Sequence, residues 1–103
     1  MNNKDIEQKV IEQYQQDENM MILVFAQWCV NNDLDPKEMY LKAYPTQLQN
    51  ASLDKVLELT VPKQESEHIP NQSVLGVLQL FGNHDLAFIV SEEINKQDKR
   101  KES

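Results

Sequence analysis

One cysteine stands in the sequence, Cys29, so no disulfide can close within the chain. Glycine is nearly as scarce. Gly76 and Gly82 are the two, and neither lies in a GxGxxG or GxxxxGK string, which excludes nucleotide binding through a glycine-rich phosphate loop. The two histidines, His68 and His84, fall in polar turns with no HExxH string or paired cysteine, so they read as solvated residues and no metal or cofactor is expected. Bases are outnumbered, 10 Lys and Arg against 17 Asp and Glu, for a net charge of −7. The imbalance is steeper over residues 1–95, where 15 acids and 6 bases give −9, while 96–103, "KQDKRKES", carries 2 acids and 4 bases. A body of that sign repels phosphate, so neither nucleic acid nor an anionic membrane is expected as a partner.

Long apolar runs are missing too. The longest stretch of that kind, "MMILVFAQWCV" from Met20 to Val30, has eleven residues, which in a helix rise about 16 Å, roughly half of what a bilayer core requires. The opening "MNNKDIEQKVIEQ" contains no apolar segment of the kind a secretion signal uses, which predicts the cytoplasm. Two strings fit the N-glycosylation pattern, Asn50-Ala51-Ser52 and Asn71-Gln72-Ser73, and without a secretion route they are chance matches.

What is present reads as helix. At 103 residues the chain predicts one domain over 1–95, followed by a solvated, disordered tail over 96–103. Ile6, Val10, Ile11 and Tyr14 make one apolar stripe on an amphipathic helix, and "QQDEN", 15–19, either turns the chain or continues the helix; two helices are the preferred reading, because Glu18 spoils the apolar spacing of a continuous one. The Met20–Val30 stretch is rich in Met, Leu, Ala and Gln, good helix formers, and no partner strands are in sight. A helix apolar around most of its circumference needs neighbours on several sides. Residues 20–31 are therefore expected at the centre of the fold.

The clearest local signal is Asp35-Pro36-Lys37-Glu38: an N-cap, a proline at the first helical position and an acid placed to complete a capping box, with Leu34 and Met39 at the staple positions. That helix runs to Tyr44, ahead of Pro45. "TQLQ", 46–49, repeats a weaker capping pattern, and a further helix after Ser52 turns Leu53, Val56 and Leu57 inward and ends near Val61-Pro62. "KQESEHIPNQ", 63–72, is the longest loop. Beyond it, Val74, Leu75, Leu78 and Phe81 form a stripe, Gly82 a stop, and Asp85 a cap for a last helix bearing Leu86, Phe88, Ile89, Val90 and Ile94. The competing reading makes 74–90 a β-hairpin around "GNHD".

Candidate chemistry is thin. Cys29 is the one thiol nucleophile, with His84 and Asp85 as a base and its orienter, but Trp28 and Val30 flank it in the most apolar segment, where a core role is the ordinary one. Glu92 and Glu93, and Asp33 and Asp35, are the closest carboxylate pairs; helix neighbours point apart, so a solvated face accounts for them. The lengths of the 20–31 helix, "NNDLD" and the 36–44 helix match a helix-turn-helix, yet its reading helix offers only Lys37 and Lys42 as bases. Tyr40 and Tyr44 lie one turn apart and form the candidate partner-binding pair if both are exposed.

The expectation is an all-α bundle of five or six short helices around the 20–31 helix, with an α+β fold carrying a C-terminal hairpin as the alternative. The function expected is a cytoplasmic, non-enzymatic protein-protein interaction or regulatory module, with homodimerisation as one way to cover the apolar central helix. A small enzyme or ligand-binding domain using Cys29, His84 and Asp85, or a DNA-binding regulator, are the alternatives.

Overall fold

The computed structural model describes residues 3–46 and 51–102. They form five helices: α1 (Asn3–Asn31), α2 (Pro36–Ala43), α3 (Ala51–Leu57), α4 (Asn71–Leu80) and α5 (His84–Glu102). There is no strand among the described residues, so the hairpin reading of 74–90 is replaced by α4 and α5. Helix α1 packs against α2, α3 and α4, while α5 packs against α2 and α4.

Two helices are longer than expected. The turn expected at 15–19 does not form, and α1 runs unbroken for 29 residues. Its Gln and Glu are good helix formers, and Asp or Asn costs only about 0.5 kcal/mol each. Breaking there strands about four backbone carbonyls on one side and four N–H groups on the other. Likewise, α5 continues to Glu102, so 96–102 is helical where a disordered tail was expected. No Gly or Pro interrupts that stretch, and Glu92 and Lys96 stand at the favourable four-residue spacing. A helix of 29 residues is about 43 Å long. It contributes much of an elongated shape, with principal extents of 62 × 29 × 26 Å and a radius of gyration of 15.4 Å, against about 13 Å for a compact chain of this size.

The stop of α1 is built by backbone geometry. Asp33 takes a left-handed φ of 59°, so that Leu34 N–H donates to Cys29 O at 2.8 Å and Asp33 N–H to Val30 O at 3.1 Å. The chain then enters α2 through the expected cap: Asp35 Oδ1 accepts from Lys37 N–H at 2.9 Å, and Pro36 fills the first helical position. Leu34 packs against the core and Met39 is in it, as the staple requires.

Helix α3 is shorter than the sequence suggests, ending at Leu57 rather than near Val61-Pro62, with Leu53 and Val56 buried. The weaker capping pattern at 46–49 falls largely on 47–50, outside the described residues. Helix α4 stops at Gly82, whose φ is 69°, with Asn83 N–H donating to Leu78 O at 2.8 Å and Gly82 N–H to Gln79 O at 3.0 Å. Asn83 rather than Asp85 caps α5, its Oδ1 accepting from Leu86 N–H at 3.4 Å. Phe88 is 63% exposed, because Leu86, Val90 and Glu93 occupy the packed side of α5.

The core joins all five helices. Met21, Ile22, Phe25, Trp28 and Cys29 of α1 meet Met39 and Tyr40, Leu53 and Val56, Val74 and Leu78, and Leu86 and Val90. Trp28 is wholly buried, and its indole N–H finds its acceptor in Asn71 Oδ1 at 3.0 Å.

Candidate functional site

None of the polar constellations weighed from the sequence is assembled. Cys29 is 0% exposed, so no solvent-reachable pocket contains its sulfur, whereas His84 and Asp85 are exposed at the start of α5. Burial, and then the negative charges of Asp35 and Glu93, push the Cys29 thiol up to about 12, which keeps it protonated and unreactive near neutrality. Glu93 is itself buried, so a solvated face accounts for Glu92 alone of that pair. Among the described residues, no group of three or more His, Cys, Asp or Glu side chains is placed to hold a metal ion. On α2, Lys37 lies 3.3 Å from Asp54, so one of the two bases of the supposed DNA-reading helix already has a carboxylate beside it.

The tyrosine pair also differs from its expected role. Tyr40 and Tyr44 do stack, with ring centroids 5.0 Å apart at 49°. Tyr40, however, is 7% exposed and belongs to the core, because Met39 and Tyr40 form the side of α2 that packs inward. Tyr44 is half-buried, and its hydroxyl donates to Asn83 Oδ1. Its hydroxyl is pushed above the ordinary tyrosine value by burial, then by the charge of Asp85. The two rings do not make an exposed pair.

The open surface lies instead on α1. One edge of this helix carries Met20, Leu23, Val24, Gln27 and Asn31. Its C-terminal part is covered by the α3–α4 linker: Gln27 Nε2 donates to Val61 O at 2.9 Å and Gln27 Oε1 accepts from Val61 N–H at 2.9 Å. Asn31 Nδ2 donates to Ser66 Oγ at 3.2 Å and to Glu67 O at 3.3 Å. Met20, earlier on the same edge, is left 64% exposed, with Leu23 and Val24 half-buried beside it.

Met20 therefore forms a ridge between two apolar depressions. One, of about 250 Å³, is shared with Leu23, Val56 and Leu59; the other, of about 230 Å³, with Val24, Val77 and Phe81. A third, of about 340 Å³, lies beyond Phe81 and is lined by Met21, Tyr44 and Asn83. Leu59 is 61% and Phe81 39% exposed, and Leu80, next to Phe81 in the chain, is 82% exposed. The first two depressions are smaller than a typical small-molecule pocket, roughly 300–1,000 Å³, and suit the side chains of a docked polypeptide.

Neither Met20 nor Leu59 is distinguishable in the sequence from a core residue. The available signal is that eleven consecutive residues of one helix are nearly all apolar, more than three neighbouring helices cover.

The sequence matches the profile of a family described as YxiS over residues 2–95. It is similar to a protein of Bacillus subtilis (strain 168) described as "Uncharacterized protein YxiS", 60% identical over 90 residues that cover 86% of this chain and 94% of the relative. No solved structure matches the chain.

Proposed function

The chain belongs to the YxiS family, and we propose that it is a cytoplasmic, non-enzymatic interaction module that docks a protein partner on the apolar face around Met20. The observation that carries this reading is the grouping of Met20, Leu59 and Phe81, all large and apolar and all substantially exposed, over side-chain-sized depressions. Contiguous apolar surface with a polar margin is the usual mark of a site that another molecule covers. Methionine at its centre suits the role, since an unbranched, polarizable side chain adapts to a partner's shape. The non-enzymatic part is supported by the buried, protonated state of the one thiol. Among the described residues, no helix is long and apolar enough to cross a membrane.

The test is a pull-down from native cytoplasm with the wild type and the double variant Met20→Glu, Leu59→Glu. Both positions are exposed, so the variant is expected to keep the helical content and melting temperature of the wild type while losing the proteins that the wild type retains. A variant that retains the same partners to the same extent removes this face from consideration.

A further inference from the structure

We infer that the occupant of this face is an amphipathic helix carrying lysine or arginine along its flanks; the inference rests on the docking role of the Met20 face. The segments that build the face, 17–24, 56–61 and 74–83, contain Asp17, Glu18 and Glu58 and no lysine or arginine. Asp17 lines the depression shared by α1 and α4, Glu18 the one beside Tyr44, and exposed Glu58 directly precedes Leu59. Lys55, one turn before Leu59, is the nearest base in sequence, while Lys37 and Lys63 are held by Asp54 and Asp33. The charged residues within the segments that build the apolar floor are thus all acidic, with Lys55 as the one base at their margin in sequence.

Shape selects the secondary structure of the ligand. The face offers a ridge at Met20 with an apolar depression on each side, bounded by α3 and α4. An amphipathic helix presents large apolar side chains at i, i+3 or i+4, and i+7, which fit such a pair of depressions across a ridge. No sheet edge exists among the described residues to accept an added strand. The acidic rim selects the sign of the flanking charge, raises the association rate and disfavours acidic competitors.

Other occupants satisfy fewer of these observations. A second copy docking through the same face in a two-fold dimer sets Asp17, Glu18 and Glu58 against their own equivalents, a like-charge arrangement. The basic stretch of a neighbouring copy, 95–103, has no apolar side chain with which to fill the depressions. Anionic lipid is repelled by the rim.

The experiment titrates the isotope-labelled full chain with a synthetic Leu/Lys amphipathic peptide about five helical turns long and with its Leu/Glu counterpart of identical apolar face, following amide chemical shifts. The Leu/Lys peptide is expected to shift Met20, Leu23, Leu59 and Phe81, to bind about tenfold or more tightly than the Leu/Glu peptide, and to weaken severalfold on raising salt to about 0.5 M. Met20→Glu with Leu59→Glu is expected to abolish those shifts. Equal, salt-insensitive binding of both peptides at this face overturns the basic character of the partner and leaves the docking role standing. Shifts confined to acidic residues elsewhere, unaffected by the double variant, overturn the inference, because they show charge attraction without the groove. No binding by either peptide overturns the helical ligand. Concentration-dependent shifts at Met20 and Leu59 with a dimeric mass in light scattering show that a second copy is the occupant, which also overturns it.

Discussion

The side-chain amide of Gln27 pairs with the main chain of Val61 in both directions, donating to its carbonyl and accepting from its N–H, each at 2.9 Å. Gln27 is the one strongly polar residue of the Met20–Val30 stretch, and this contact ties the linker between α3 and α4 to the central helix. It also sets where the cover over α1 ends and where the open face begins. Gln27→Ala is expected to cost about 1 kcal/mol, since two partly solvated hydrogen bonds contribute at the low end of their usual range. The sharper readout is limited trypsin digestion, in which cleavage after Lys63 should accelerate severalfold relative to the rest of the chain. Unchanged cleavage there means that other contacts hold the linker.

Trp28 and Asn71 provide a test inside the core. With the indole wholly buried, Asn71→Ala leaves its N–H without this acceptor, at an expected cost of about 1–3 kcal/mol. Asn71→Asp keeps an acceptor oxygen and places a negative charge in the first turn of α4, where the helix dipole favours it. The urea midpoint of the Asp variant should therefore lie close to that of the wild type and well above that of the Ala variant. Equal midpoints for the two variants contradict the contact.

The two helix stops make opposite predictions. Gly82 and Asp33 both hold left-handed backbone, at φ of 69° and 59°, and both close the same pair of terminal hydrogen bonds. Nothing lies within 4 Å of a Cβ added at Gly82, so Gly82→Ala should lose only the backbone preference, about 1–2 kcal/mol. Asp33→Gly relieves the same strain, offset by the flexibility of an unfolded glycine and by the exposed Lys63 pair, which is worth little. A net gain of about 0.5 kcal/mol in chemical denaturation is expected. A loss of stability at Asp33→Gly means that the ion pair outweighs the strain.

Cys29 makes stability depend on alkaline pH. The folded thiol ionises only near 12, against 9.0 for a free one. Above about pH 9 the unfolded chain gives up a proton that the folded chain keeps, so unfolding becomes more favourable as pH rises. The slope attributable to Cys29 approaches about 1.4 kcal/mol per pH unit between the two values. Full stabilisation is present below pH 9 and lost toward 12. In Cys29→Ala, stability measured over this range should fall less steeply than in the wild type, whatever the absolute cost of the cavity. Parallel slopes for the two proteins refute the assignment. Native protein should also resist thiol reagents that label the unfolded chain at once.

Signals carried by a few neighbouring residues were legible in the sequence. Asp35 and Pro36 start α2, Gly82 ends α4, and the Met20–Val30 stretch marks the central helix, because caps, turns and helical periodicity act within about one turn of chain. Composition likewise limited the chemistry, since a lone cysteine and two unmotivated glycines leave few catalytic patterns to build. Other features depend on residues far apart in sequence. The left-handed stop at Asp33 is hidden because aspartate does not announce that backbone as glycine does. The unbroken course of α1 through 15–19 depends on the cost of stranding backbone groups at a break, which no single residue type signals. Whether Met20 or Met21 faces solvent is undetermined by a run in which every side of the helix is apolar. Tertiary packing decided it: α2, α3 and α4 close over Met21, Phe25 and Trp28, the linker held by Gln27 and Asn31 covers the adjoining edge, and Met20 is left 64% exposed between Leu59 on one side and Phe81 on the other.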